Sequence, residues 1–415
     1  MTDKNIPEIR FKGFTEAWEQ RKFGEIAEYK KGPFGSALKK SLFVPKSKET
    51  VKIYEQQNAI NKDWKLERYY ISNEYAQKLK GFEVLTGDYI VSCAGTIGEI
   101  YEIPEDAEYG IINQALMRIR VNEKSVEKEL FSILFSNMIE KFTTVHSNGS
   151  AIKNIPPLSD LKPFSTQVSA KKEQKLIVLF MREVNNLITL HQRKLETLKK
   201  LKKSLLQKLF PRKDENIPEL RFSGFTEAWE QRKVKDIAQE TFGGGTPNTR
   251  IEKYWNGAFP WIQSSDLKLN DLNEVIPTKF ITKEAIENSA TKIVPKNSIA
   301  IVTRVGVGKL AFIQYSYSTS QDFLSLSLLN TDVFFALYSL YRILQKEIKN
   351  IQGTSIKGIT KSDLLSKNIN LSPIASEQIK IGSFMKKIDE YITLHQNKLE
   401  TLKELKRTLL NKMFV

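Results

Sequence analysis

The chain has 415 residues, 40% of them hydrophobic and 10% aromatic, which is enough for two or three ordinary cores and excludes an intrinsically disordered protein. Its one cysteine, Cys93, excludes an internal disulfide and any multi-cysteine metal site, and fits a reducing compartment. Lys and Arg outnumber Asp and Glu by 64 to 48, giving a net charge of +16; this suits a partner for a polyanion, although an acidic protein partner and plain solubility give the same composition.

The N-terminal segment MTDKNIPEIR lacks the apolar stretch of a signal peptide, and no apolar run in the chain is long enough to span a bilayer, so a cytoplasmic location without a membrane partner is expected. NIPEIRFKGFTEAWEQRK (5–22) returns as NIPELRFSGFTEAWEQRK (216–233), with sixteen of eighteen positions identical at an offset of 211. Residues 23–172, which follow the first block, barely match residues 234–376. Within these divergent segments, GDYIVSCAGTIGEIYEI (87–103) and NSIAIVTRVGVGKLAFI (297–313) are β-branched runs broken by glycine, which predicts strands joined by tight turns. ELFSILFSNMIEKF (129–142) and its counterpart 333–346 read as core helices.

Residues 173–210 contain neither proline nor glycine, and Val184, Ile188, Leu195, Leu198, Leu205 and Leu209 step mostly by three, four or seven. That spacing predicts a long helix with a coiled-coil seam, ended by Pro211. Residues 377–414 repeat it at an offset of 204, with Ile388, Ile392, Leu399, Leu402, Leu409 and Met413 as the seam. Each helix is the natural mate of the other, because a lone amphipathic helix of this length leaves its stripe exposed. His191 and His395 fall at equivalent seam positions and are expected to play a structural part there. The basic helix faces, thirteen Lys and Arg against three Glu in 171–213, read mainly as solvated surface.

The order of the blocks implies a circular, pseudo-two-fold arrangement. The first helix runs on into the second copy of the opening block, whereas the second helix ends the chain and its matching block lies at the N-terminus. The chain ends are therefore expected near each other, with the helices antiparallel. The fold class is α+β: two globular mixed α/β domains separated by a pair of long antiparallel coiled-coil helices. The boundaries are 1–172 for the first domain with its block 5–22, 173–211 for the central helical spacer, 212–376 for the second domain with its block 216–233, and 377–415 for the C-terminal helical spacer.

The sequence holds no dinucleotide-binding Gly-x-Gly-x-x-Gly after a strand, no Asn/Asp-Pro-Pro-aromatic tetrad and no Walker lysine motif; in GVGKL (306–310), Leu310 stands where the magnesium-binding hydroxyl is needed. No metal site is expected. The triple glycine of FGGGTPNT (242–249) could cradle a phosphate or make tight turns, and the sequence leaves both open.

Taken together, the blocks RFxGFTEAWEQRK (10–22 and 221–233) and TLHQxKLETLKxLK (189–202 and 393–406) resemble the specificity subunits of type I restriction-modification systems. So do the glycine-centred segments KGPFGSAL, AGTIGEI, GGTPNTRIEKYWNGAFPWIQSSDL and QGTSIKGITKSDL. The resemblance covers essentially the whole chain. It implies two target recognition domains, each reading one half of a bipartite, asymmetric DNA site, with the helices setting the gap and helping to dock two modification subunits. It also implies a chain that is not itself an enzyme and holds no cofactor. S-adenosylmethionine would belong to the modification subunits, and ATP and magnesium to the restriction subunits. On this reading Trp18 and Trp229 are candidates for subunit docking or hinge contacts, the alternative being that they pack the block against the helix pair.

Amide side chains suit adenine edges and cationic ones suit guanine or phosphate. The candidate DNA-binding residues are accordingly Lys39, Lys40, Gln56, Gln57, Asn58, Lys153 and Asn154 in the first domain. In the second they are Thr246, Asn248, Arg250, Gln263, Ser264, Arg304, Thr354, Ser355 and Lys357. Competing readings are a methyltransferase fused to its own recognition domain, which the missing cofactor motifs oppose, and a non-catalytic scaffold, which the +16 charge opposes.

Overall fold

The computed structural model describes residues 6–146, 154–212, 214–272, 275–351 and 358–414. They form two compact units, Met1–Ile188 with Thr401–Val415, and Thr189–Glu400. The first long helix, Lys171–Lys208, and the second, Ala375–Met413, each contribute residues to both.

In the first unit a four-stranded antiparallel sheet runs in the order Ala27–Lys31, Leu116–Val121, Tyr89–Ser92, Ile100–Glu102. Its last two strands are the hairpin expected from 87–103. The core helix, Lys128–His146, lays Leu130, Phe131, Leu134 and Phe135 against Phe23, Tyr29 and Val91. A second sheet orders Tyr70–Ser72, Thr50–Tyr54, Gly110–Ile112 and Glu83–Val84, with its central pair parallel.

The second unit repeats the plan. Its four-stranded sheet runs Ala238–Gly243, Phe323–Leu329, Ser298–Val302, Leu310–Ile313, under the helix Val333–Ile351. A three-stranded sheet orders Lys279–Ile281, Phe259–Ile262 and Ser318–Thr319, the last pair again parallel.

The repeated blocks perform the same task in each unit. In the first, the Glu173 carboxylate at the start of the first long helix accepts from Arg10 Nε at 2.8 Å and Nη2 at 2.9 Å, and from the Trp18 indole N–H at 3.1 Å. In the second, Glu377 accepts from Arg221 Nε at 2.6 Å, Arg221 Nη2 at 2.9 Å and Trp229 Nε1 at 3.2 Å. Each indole also rests against the end of the other helix: Trp18 lies 6.0 Å from Phe414, and Trp229 lies 6.0 Å from Phe210.

The backbone repeats the pattern, with Ile9 N–H donating to the Lys412 carbonyl and Leu220 N–H donating to that of Lys208. Gln174 and Gln378, next to the buried glutamates, accept from the backbone N–H groups of Glu127 and Asp332 and so hold the start of each core helix. Each block is completed by EQRK paired antiparallel with the strand that precedes a long helix, Glu19–Lys22 with Ser165–Val168 and Glu230–Lys233 with Asn368–Leu371. The expected meeting of the N-terminal block with the C-terminus is thus present within the first unit.

Within the second unit the two long helices run antiparallel, because moving from His191 to Lys202 on the first moves the partner back from His395 to Asp389. The seam residues are buried or half-buried, while Leu187, Leu190, Leu201, Tyr391, Leu394 and Leu405 lie off it and are exposed. His191 and His395 meet Nδ1 to Nδ1 at 2.8 Å, so one ring donates and the other accepts. Partial burial, His191 itself, Lys194 and Lys398 together hold His395 below its ordinary pKa.

Further along the pair, Lys202 pairs with Asp389 at 2.6 Å, and Asp389 also accepts from Tyr338 Oη at 2.8 Å. Burial raises the Asp389 carboxyl above its ordinary pKa against the pull of Lys202. Both side chains are below 10% exposed. Asp389→Ala therefore strands a buried ammonium and is expected to cost about 3–5 kcal/mol in chemical denaturation, whereas the apolar pair Lys202→Met with Asp389→Leu recovers most of the loss.

Candidate nucleic-acid interface

In each unit the loops that follow the strands converge on one face. In the first unit, Gly32 N–H donates to the Leu116 carbonyl, Asn113 N–H to that of Tyr54, and Cys93 N–H to that of Ala115. The segments after Lys31, Tyr54, Ser92 and Ile112 are thereby tied together. Ile155, just past the undescribed residues 147–153, donates its N–H to the Cys93 carbonyl, and Asn154 forms a bridge with Ala94.

The second unit makes the corresponding bonds. Gly245 N–H donates to Thr319, Ser320 to Ile262, Thr303 to Asp322, and Ile359 to Thr303. Both hairpins turn on two glycines with positive φ, Gly95 and Gly98 in one, Gly306 and Gly308 in the other, a backbone region that side chains avoid.

The sequence candidates distribute unevenly over these faces. Lys39, Lys40, Gln57 and Asn154 are exposed in the first unit, and Gln56 donates its amide to the Ala94 carbonyl at 2.5 Å, which fixes it beside the hairpin. Asn58 is a correction. It is 2% exposed, its amide donates to the Asp63 and Leu66 carbonyls, and its Oδ1 accepts from Glu55 N–H, so it has no free group for a base.

In the second unit Asn248 and Arg250 are exposed, with Asn248 Oδ1 accepting from Arg250 N–H in a turn. Thr246 donates to Gln321 Oε1, and Gln263 reaches Thr278 at 3.4 Å. The carbonyl of Ser264 accepts from Lys309, so the lysine of GVGKL is engaged inside the protein. Arg304 stands 3.9 Å from Asp322 with its side chain 65% exposed. Lys153, Thr354, Ser355 and Lys357 lie outside the described residues.

Sequence reasoning missed Lys361 and Lys292. Burial together with the charges of Lys292 and Arg304 pushes the Lys361 ammonium below its ordinary pKa, so the three cations lie near enough to repel one another. The only signal in the sequence was their basic character. The triple glycine is explained by close packing, since a Cβ on Gly244 would lie 1.8 Å from the Ser320 carbonyl oxygen. Trp261 Nε1 donates to the Gly245 carbonyl and Trp255 Nε1 to that of Asn248, which fastens the loop. Cys93 is buried, and its thiol is pushed up to about 12 by that burial.

Trp18 and Trp229 are a second correction: each is 4% exposed, so neither offers a surface to another subunit. Two apolar pairs outside the buried clamp are half-buried or exposed instead. Phe11 meets Phe180 edge to face at 5.9 Å beside Leu176 and Leu179, and Phe222 meets Phe384 at 5.8 Å beside Ile379. The latter pair lines a groove of about 400 Å³ with Lys380 and Lys387.

Two units of one fold, each presenting a face of polar and basic loops and each framed by the same block, define a protein of duplicated recognition domains. The family model of the type I restriction modification DNA specificity domain matches residues 15–200 and again 226–404, and the chain belongs to this family. Among curated relatives, the MjaIX specificity subunit of Methanocaldococcus jannaschii is 28% identical over 190 residues, spanning 45% of this chain and 44% of that relative's length. The MjaVIII specificity subunit of the same organism is 22% identical over 99% of this chain and 95% of its own. The EcoR124I/EcoR124II specificity subunit of Escherichia coli is 44% identical over 69 residues, 16% of each chain. The crystal structure of the type I S subunit from M. genitalium superposes with a TM-score of 0.62 at 16% identity over 99% of both chains, showing the same fold.

Among the described residues, no group of three or more His, Cys, Asp or Glu side chains could hold a metal ion, and no helix is long and apolar enough to cross a membrane. Asn58→Ala is expected to lower stability by about 1–3 kcal/mol, because it leaves two carbonyls and an N–H unpaired, whereas Gln57→Ala leaves the melting temperature unchanged. Thermal denaturation of both variants checks the distinction.

Proposed function

We propose that the chain confers DNA sequence specificity on a type I restriction-modification complex, each unit reading one half of a bipartite, asymmetric site. The carrying observation is that two units with the same frame differ where their polar loops converge. In the second unit, Lys292, Arg304 and Lys361 supply sequence-independent attraction to phosphates, and Asn248, Arg250 and Gln263 take the base-reading role. In the first, Lys39 and Lys40 take the phosphate role, and Gln56, Gln57 and Asn154 the base role. Lys153, Thr354, Ser355 and Lys357 remain candidates on sequence grounds.

The long helices set the number of unread base pairs. The paired phenylalanines Phe11 with Phe180 and Phe222 with Phe384, being equivalent and partly exposed, dock two identical modification subunits. Those subunits bring S-adenosylmethionine and transfer the methyl group, the restriction subunits bring ATP and magnesium, and the complex works in the cytoplasm.

Exchange of residues 23–172 for the corresponding segment of another specificity subunit tests this reading. Sequencing of methylated adenines in DNA treated with the assembled methyltransferase is expected to show one half of the site changed and the other retained. A change in both halves, or in neither, contradicts it.

A further inference from the structure

The loop that follows the first strand of the first unit carries Phe34 with 88% of its surface exposed, more than any other large apolar side chain among the described residues. A phenyl ring in water is ordinarily a feature of a mobile segment, yet this loop is tied down on every side. Gly32 donates its N–H to the Leu116 carbonyl at 2.9 Å and packs so closely that a Cβ there would lie 1.8 Å from the Asn113 oxygen. Pro33 is buried.

The Phe34 carbonyl accepts from Ala37 N–H at 2.8 Å to start a short 3-10 turn, Gly35–Ala37, and the Ala37 carbonyl accepts from Tyr75 Oη at 2.9 Å. Gly35 sits over the amide of Gln114, in the same convergence of loops that holds Gln56 and Asn154. Lys31, Lys39 and Lys40 flank the ring along the chain and are exposed.

An exposed aromatic ring on a tethered loop, flanked along the chain by exposed cations, has the chemistry of a group that leaves water for a stack of bases while its neighbours hold the phosphates. We propose that Phe34 is a wedge that enters the base stack of the first half-site and partly unstacks one step. The proposal rests on the reading that this unit binds DNA. In the second unit the glycine in the equivalent close approach, Gly244 against Ser320, is followed by Gly245 and Thr246, and Thr246 is bonded to Gln321. The wedge therefore belongs to the first half-site alone.

The test uses the full chain assembled with its modification subunits and duplexes carrying the methylated site found by sequencing, with 2-aminopurine replacing in turn each adenine of a half-site except those that are methylated, whose extrusion by the modification subunit gives a signal of its own. The expected result is a fluorescence rise at one step of the first half-site and none in the second. Phe34→Ala abolishes that rise and weakens binding by about tenfold, the size of one lost aromatic–base stack, without altering the salt dependence. Phe34→Leu, which keeps an apolar wedge, retains part of the signal. Unchanged fluorescence and affinity in Phe34→Ala overturn the wedge while leaving DNA recognition intact. Impaired subunit assembly with normal DNA binding by the complexes that do form also overturns it and assigns the ring to a protein contact. Absence of sequence-specific binding by the unmodified complex defeats the underlying reading as well.

Discussion

The structure depends on one buried carboxylate used twice. Glu173 and Glu377 each sit in the first turn of a long helix, and each draws in an arginine and a tryptophan from a block remote in sequence. A lone buried carboxylate is costly, and removing either partner leaves a charge without compensation. The glutamate, the arginine and the indole therefore have to change together or stay as they are. Because the same indole packs on the phenylalanine that ends the other helix, one side chain joins the start of one helix to the end of its mate. That double contact constrains RFxGFTEAWEQRK far more than the strands and loops beside it.

The clamp separates what must stay constant from what is free to diverge. EQRK pairs through backbone bonds with the strand before each long helix, so this closure makes little demand on the loop side chains of the segment, although its core helix contributes Phe335 to the packing of Trp229 and Phe210. Inside the frame the loops following the strands are bonded mainly to one another through backbone groups. Their side chains can then be exchanged with little effect on the fold, as the contrast between Phe34 and Thr246 at matching places illustrates. This is the economy expected of a recognition domain whose chemistry resides on loops carried by a fixed scaffold.

Much of this architecture was legible in the sequence. The seam spacing located both long helices, the two glycine-broken runs located both hairpins, and the block order implied that the N-terminal block meets the C-terminus. For each tryptophan the sequence left docking and packing against the helix pair both open; the structure shows the packing, and what decides it is a glutamate 155 or 148 residues away that carries no local signal. Asn58 looked like a base reader in an amide-rich QQN run, whereas its fold-level task is to tie a short helix to the loop that follows. The cluster of Lys361, Lys292 and Arg304 was hidden for the same reason, since three isolated basic residues become one site only when the sheet brings their loops together. The second, smaller sheet of each unit also escaped notice, its strands being too short and too interrupted for alternation to show.

The most direct measurement of the clamp is hydrogen–deuterium exchange on Glu377→Gln, a substitution that keeps the volume of the side chain and removes its charge. If the clamp holds the frame, protection falls in residues 216–233, in the first turns of the second long helix and in the last turn of the first, while the sheet formed by Ala238–Gly243, Ser298–Val302 and Phe323–Leu329 stays protected. Unaltered exchange in the block, or an equal loss across the sheet and the frame alike, would contradict a frame that closes independently of what it encloses.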